Sequence, residues 1–568
     1  MPKPPFKYKN PFPTRSLLFF AAYSVLMAGV LVTTTPMIDS IWLVPGYLKQ
    51  CFEYAQQLIV YAREAGISAF LAVVDPFPLY PVLAITPFPI VAFASFLPVI
   101  QYVSVDPNQP RMAKLIDIKN MELLGRLGPT LASFKGHALR PMETLHALFF
   151  ASTRSGKSVQ IVSTILDYPG SIVAVEPKGN IKIIVGPDRA SKGPFFELSV
   201  ANPHTKAGWN FLALSKIPTE NHDRELYAAR VAGLIVPEKP EVKDPHWDDN
   251  ARRNLTATFL FEMSEAVRLG RDGHPYNVWK LWNDLPPPKS KKDDPFVNRL
   301  NWMVKTSREH NYPSFIVDAL SAFAKTLGAG EATSHISTFN TKMAPFAYEA
   351  TRRFFGLDSF DFDLLRKKPT SVFIDFPQED APTFGRLTAL FLDAVIAWSL
   401  SNPRKPGDLP ILIIIDEMRD LPAIELLPSF LNKAAGYGVH ILISVQTSKQ
   451  IQERYPNSYH NFMVNFDHYV LFDQPDQEMQ DKFARLVGKV KKTKQSKNRK
   501  GLGFASSTTD SEHSEDLISP QMWGTIPKGK CIVLSRRHFI RPILCDVTQW
   551  FKLPQYLKKV PKPNRIKT

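Results

Sequence analysis

Short aliphatic runs alternate with segments of helical periodicity along most of this 568-residue chain. Residues 171–175 (SIVAV), 371–376 (SVFIDF), 411–415 (ILIII), 440–445 (HILISV) and 468–472 (HYVLF) read as strands, because each is a brief β-branched or aliphatic run bounded by polar residues. Residues 145–150 and 195–200 fit the same description, and 531–534 forms a last sheet segment. Helices are predicted over 159–166, 384–400, 423–435 and 477–486. Strands separated by helices predict a parallel sheet covered on both faces, an α/β fold.

The pattern breaks in three places. Between residues 217 and 345 helical spacing takes over: Ala251, Leu255, Phe259, Met263 and Val267 repeat at that period, with Asp248 and Asp249 near the start, where acids suit the helix dipole. Residues 297–304 and 316–324 are further helices, and the Pro-rich, Lys-rich stretch 286–292 is a loop between them. The expectation is an all-α insert. Residues 489–500 (KVKKTKQSKNRK) are Lys-rich and 501–516 are rich in Gly, Ser, Thr and acids, a composition that reads as a low-complexity mobile loop.

The third break is at the N-terminus. Residues 16–37 contain no charge, and at about 1.5 Å per residue they are long enough to cross a hydrocarbon core of about 30 Å. Residues 76–105 form a second uncharged run, interrupted by prolines that membrane helices tolerate. The expected spans are 16–37 and 79–103. Lys3, Lys7, Lys9 and Arg15 precede the first run, and Arg111, Lys114, Lys119 and Arg126 follow the second. The loop between carries mostly acids, so the positive-inside rule puts both ends in the cytoplasm.

Composition adds a net charge of +16, which suits an anionic partner such as nucleic acid or acidic lipid. Much of that charge lies in the Lys-rich stretch and a basic tail. The three cysteines, Cys51, Cys531 and Cys545, match neither a zinc spacing nor a disulfide framework, which points to a reducing compartment for the bulk of the chain.

The chemistry centres on Ala151-Ser152-Thr153-Arg154-Ser155-Gly156-Lys157-Ser158, between an apolar strand and a helix beginning near Val159. This is the layout of a phosphate loop. Backbone N–H groups of residues 152–159 wrap the phosphates of ATP, Lys157 reaches the β/γ-phosphates, and the Ser158 hydroxyl holds Mg²⁺. Ala151 stands where the pattern has its first glycine, which costs little if that position does not need positive φ. The strand 411–415 runs into Asp416-Glu417. Asp416 belongs to the Mg²⁺ shell and Glu417 polarises the attacking water. Gln446 ends the next strand, placed to sense the γ-phosphate.

These motifs, with Pro169-Gly170-Ser171, Pro177-Lys178-Gly179, Trp209-Asn210, Trp247 with Ala251-Arg252, Gly436-Tyr437-Gly438 and Val445-Gln446-Thr447, resemble those of the type IV secretion coupling proteins, the membrane-anchored ATPases of bacterial conjugation. The resemblance covers nearly the whole length. It implies a RecA-like motor domain over 111–216 and 346–557, an all-α insert domain over 217–345, a two-helix transmembrane anchor within 1–110 and a basic tail over 558–568. It further implies an inner-membrane homo-hexamer that engages relaxase-bound single-stranded DNA, or in some systems protein effectors, and docks on the secretion apparatus. Glu176 and Asn180 depart from the residues usual around Pro-Lys-Gly. Ala434-Ala435 replaces an Arg that in the family can act across a subunit boundary; Lys433, Arg419, Arg352 and Arg353 are candidate substitutes. A protein-effector coupling ATPase, or a docking receptor with little turnover, stays open.

Overall fold

Ile411–Ile415 forms β7, five aliphatic residues buried on both faces near the middle of an eleven-stranded sheet. The computed structural model describes residues 109–143, 146–236, 246–288, 294–327, 332–499 and 506–560. Both expected membrane spans lie outside them. Among the described residues one helix, Gln378–Ser401, is long and apolar enough to cross a membrane. Its Phe384, Leu387, Leu390, Phe391, Val395 and Ile396 are buried in the main core.

The strands are β1 Ala132–Phe134, β2 His137–Leu139, β3 Ala147–Phe150, β4 Ser171–Val175, β5 Phe195–Ser199, β6 Ser371–Asp375, β7, β8 Val439–Val445, β9 His468–Leu471, β10 Lys489–Arg499, β11 Ser506–Asp516, β12 Lys530–Ser535 and β13 Ile543–Asp546. The large sheet runs β2-β1-β13-β12-β9-β3-β8-β7-β4-β6-β5. From β9 to β5 every neighbour pair is parallel. From β9 outward through β12, β13, β1 and β2 every pair is antiparallel. The parallel half was readable because strands covered on both faces are continuous aliphatic runs. The antiparallel extension was not, beyond β12, because β1 and β2 have three residues each and β13 alternates buried and exposed.

The helical excursion leaves the sheet after β5 and returns at β6, its parallel neighbour at the edge. Helices Asn221–Ile235, His246–Leu269, Pro275–Asn283, Pro295–Glu309, Ser314–Thr326 and Ala332–Met343 fill it. Trp282 is central: its ring stacks on Phe339 at 3.7 Å between centroids, and its Nε1–H donates to Thr258 Oγ1 at 3.0 Å. Asp294 starts one helix by accepting from the N–H groups of Phe296 and Val297, which satisfies donors the first turn leaves unpaired.

Two expectations are corrected. Residues 489–499 and 506–516 are not loop: β10 and β11 pair antiparallel in a two-stranded sheet, with Lys489 opposite Asp516 and Val490 opposite Glu515. Opposite charges and β-branched residues across the ladder favour pairing that composition alone hid. Nor is 423–435 one helix. It holds only the helix Leu427–Leu431 and a 3-10 turn, Ala434–Tyr437. The Ile424 and Leu426 N–H groups donate instead to the Tyr455 hydroxyl and to Asp393 Oδ1. Pro428, which lacks an N–H, sits in the first turn of the short helix.

Two histidines mark the lower edge of β3 and β9. The N–H groups of Asp467 and His468 donate to the His146 carbonyl, and the Ile441 N–H donates to His146 Nδ1 at 3.2 Å. Neither ring nitrogen of His468 has a hydrogen-bond partner. Burial pushes both imidazoles down to about 3, with His440 adding to the effect at His146 and Arg536 at His468. The unfolded chain therefore takes up protons near pH 6.5 that the folded chain refuses, so stability present at pH 7 falls as pH falls toward 3. In urea unfolding of the soluble body between pH 7 and 5, His468→Phe is expected to show a shallower loss of stability than the parent. Equal slopes would contradict this account.

Candidate nucleotide site

Parallel register brings the chemistry to one edge. Phe150 of β3 lies opposite Val445 of β8, Ile443 of β8 opposite Ile415 of β7, and Ile415 opposite Val175 of β4. The residues that follow these strands, Ala151, Gln446, Asp416 and Glu176, therefore emerge side by side. Ligands bind at this edge of open α/β sheets.

The loop after β3 turns into the helix Lys157–Asp167 through Gly156, at φ 104°, and Arg154, at φ 66°. Arg154 is thus one of the non-glycine residues that take left-handed backbone, and Ala151 is not. The glycine missing at Ala151 costs no strain. Ser155 closes the turn, its Oγ–H donating to the Ser152 carbonyl at 2.8 Å. The helix stops at Tyr168, before Pro169, as the restriction on residues preceding proline dictates.

Lys157 Nζ donates to the Asp416 carbonyl at 2.8 Å and lies 3.3 Å from Asp416 Oδ1 and 3.8 Å from Glu417 Oε2. Gln446 Nε2 donates to Glu417 Oε1 at 3.2 Å, while its own N–H donates to Gln450 Oε1. Lys157, Asp416, Glu417 and Gln446, drawn from three strand ends, therefore form one connected cluster. Asp416 Oδ1 is buried and accepts no hydrogen bond, its approach to Lys157 being an ion pair without hydrogen-bond alignment. With the Ser158 hydroxyl at the helix start it offers hard oxygen donors, the set Mg²⁺ takes. Ser152 to Val159 line the loop and the first turn, where the N–H groups of Lys157, Ser158 and Val159 have no partner within the helix and are open to an anion.

A residue that sequence reasoning missed supports this loop. Asp473 follows β9, the other neighbour of β3, and accepts the Ser152 N–H at 2.9 Å on Oδ1 and the Ser152 hydroxyl on Oδ2. No local signal marks it, because the pairing joins positions 321 residues apart. Glu176 accepts the N–H groups of Ile181 and Lys182 at 2.6 and 3.1 Å and so caps the helix Asn180–Lys192. Burial pushes its carboxyl up to about 7 against those hydrogen bonds, and Asp416 nearby adds to the rise. A strand-end acid followed by Pro-Lys-Gly was the available signal.

The four candidate cations divide. Arg353 Nε donates to the Thr205 carbonyl, and Arg352 lies over the Tyr276 ring of the insert at 4.8 Å, so both are engaged. Arg419, two residues beyond Glu417, and Lys433 are exposed. Trp209 and Asn210 are structural. Trp209 packs edge-on against Phe391, and Asn210 bridges the Gly273 carbonyl and the Leu212 N–H.

A parallel sheet with a strand–loop–Lys-Ser–helix unit, and an acid pair two strands away, defines a phosphate-loop α/β protein. Residues 109–568 match the family model described as "Type IV secretory system Conjugative DNA transfer", and the chain belongs to that family. It is similar to the conjugal transfer protein TraG of Escherichia coli, 23% identical over 372 residues covering 62% of this chain and 56% of the relative. It is also similar to the protein VirD4 of Agrobacterium fabrum, 23% identical over 418 residues covering 71% and 58%. The chain thus spans a little over half the length of these relatives. Among solved structures, the bacterial conjugative coupling protein TrwBdeltaN70 superposes with a TM-score of 0.56 at 17% identity, covering 77% of this chain and 92% of that one. The plasmid coupling protein TrwB in complex with ADP and Mg²⁺ gives 0.55 at 16%, covering 78% and 94%. At these identities the likeness establishes the shared fold.

The Ser152–Asp473 pair is directly testable. Hydrogen bonds to a charged group contribute about 1.5–3 kcal/mol. In a double-mutant cycle on unfolding free energy, Ser152→Ala and Asp473→Asn should couple by an amount of that order. Additive effects would mean that Asp473 does not hold the loop.

Proposed function

We propose that this chain is the membrane-anchored coupling ATPase of a type IV secretion system, which recruits relaxase-bound single-stranded DNA and drives its transfer by ATP hydrolysis. The observation that carries the reading is the convergence of Lys157, Asp416, Glu417 and Gln446 at one sheet edge beside a phosphate-type loop. Family membership supports the substrate class, and the ADP and Mg²⁺ bound to the related TrwB support the nucleotide.

In this reading Lys157 leaves the Asp416 carbonyl to meet the β/γ-phosphates, and the loop 152–159 presents the N–H groups not already held by Asp473 and the turn to the rest of the polyphosphate. Ser158 and Asp416 would hold Mg²⁺, which would supply charge neutralisation at the phosphates. Glu417 accepts a proton from the water that attacks the γ-phosphate. Gln446, bonded to Glu417, fixes that carboxylate's direction and registers loss of the γ-phosphate. A cation from a neighbouring subunit of a hexameric ring completes the site, with exposed Arg419 and Lys433 as candidates. Residues 111–216 and 346–557 form the motor and 217–345 the insert that engages the substrate complex. Two spans, near 16–37 and 79–103, anchor the chain in the inner membrane beside the secretion apparatus, with both termini cytoplasmic. DNA contacts are mostly to phosphate and therefore salt-sensitive.

Lys157→Ala is expected to leave membrane insertion intact and abolish conjugative transfer. Glu417→Gln is expected to lower DNA-stimulated phosphate release by the assembled oligomer by about 10²–10⁴-fold, the range general-base catalysis supplies. Normal transfer by the first variant, or unchanged turnover by the second, would overturn the motor reading. Turnover stimulated by a secreted protein and not by DNA would turn the assignment to effector coupling.

A further inference from the structure

A second cavity, of about 330 Å³, lies away from the nucleotide site, between the helix Asn221–Ile235 of the insert and the helix Ala381–Ser401 of the sheet layer. Its volume falls at the lower end of the range for small-ligand pockets. Aromatic rings dominate its wall: Trp209, Phe211, Tyr227, Phe362 and Trp398 all line it. Two of them already carry a cation over the ring, Lys216 over Trp209 at 5.5 Å and Arg366 over Trp398 at 5.9 Å, so the wall offers a guest mainly apolar contact.

The polar groups are few and specific. Asp393 lines the cavity and is 1% exposed. Its Oδ1 accepts the Leu426 N–H at 3.1 Å, and its Oδ2 is buried with no hydrogen-bond partner. A buried carboxylate oxygen without a partner is rare, because burial costs the group its water. Here that cost pushes the Asp393 carboxyl up to about 6, with Glu425 raising it and Arg230 lowering it. The other polar groups of the wall are largely committed: Lys216 is paired with Asp358 and the Tyr227 hydroxyl donates to the Phe211 carbonyl. Asp361 adds a second carboxylate to the lining, and Arg230 contributes an exposed guanidinium.

We propose that this cavity is a binding site for an organic cation: a primary ammonium or guanidinium on an apolar stem, the charged head on Asp393 and the stem among the aromatic rings. A buried charge-assisted hydrogen bond would satisfy Oδ2. Of the two cations on the wall, Lys216 is paired with Asp358 and Arg230 is exposed, so the buried charge a guest meets is Asp393, and a purely apolar guest leaves its orphan oxygen unpaired. The site joins the insert to the helix under the sheet, so its occupant bridges those two elements. The inference is independent of the nucleotide assignment, since it uses none of those residues.

The test uses the full chain in detergent, with 4-phenylbutylammonium as probe and 4-phenylbutanol as its neutral counterpart, followed by calorimetry and ligand-observed NMR. The ammonium should bind at least about tenfold more tightly than the alcohol, as expected for a hydrogen bond to a charged group. Asp393→Asn, which keeps the Leu426 bond through Oδ1, should erase that preference. Ala397→Phe, which fills the cavity and leaves Asp393 in place, should remove binding of both. Adding N-acetyl-lysine methylamide distinguishes sources of the same head group: competition by it points to a side chain of a bound protein, and a probe it cannot displace points to a free amine. Equal affinity of ammonium and alcohol, a preference that survives Asp393→Asn, or no binding of either at millimolar concentration would overturn the proposal.

Discussion

The contact on which the site depends is the ammonium of Lys157 held against the backbone and carboxylates of Asp416 and Glu417. All three side chains are nearly buried, with exposures of 14%, 10% and 11%. Charges removed from water this far must answer one another, and deleting one strands its partner. The sheet enforces the meeting. β3, β8 and β7 are parallel and adjacent, β3 and β8 end opposite each other with β7 ending two residues earlier, and each is buried on both faces. The polar residues that follow can leave the core only at that shared edge.

The surroundings hold the loop in its shape. Asp473 grips Ser152 from the strand on the other side of β3, and Gly156 and Arg154 take the left-handed backbone that swings the chain into the helix. The far end of that helix is fixed as well: Asp167 receives Arg140 at 2.6 Å and the Tyr556 hydroxyl at 2.5 Å. Ser163 Oγ–H donates to the Thr548 carbonyl, and the Thr548 N–H donates to Gln160. The antiparallel extension β12–β13, with the segment after it, therefore serves the phosphate loop as a brace.

Much of this was legible in the sequence where burial is complete. Ile411–Ile415 and Ser171–Val175 are continuous aliphatic runs with one stable place to go, and the acids that end β7 could hardly be core. Legibility failed where the deciding partner is remote. Asp473 looks like any loop acid until β9 is laid beside β3. Residues 423–435 have helical composition, but Tyr455 and Asp393 hold Ile424 and Leu426 outside the helix, which starts only at Leu427. The Lys-rich stretch before Gly501 has the composition of a solvated linker, and only its pairing with Ser506–Asp516 makes it a strand. Asp393 gave no signal at all, since its significance lies in an oxygen left without a partner in a cavity built from four separate segments.

The central claim is that strand ends assemble a Mg²⁺-dependent nucleotide site from Ser158 and Asp416 beside Lys157. Equilibrium titration of a fluorescent ATP analogue, with and without Mg²⁺, tests it most directly on the parent, Ser158→Ala and Asp416→Asn. The account predicts that Mg²⁺ tightens binding to the parent by about tenfold or more, the scale of a lost charge-assisted contact, and does so far less in either variant. Equal Mg²⁺ enhancement in all three proteins would contradict it.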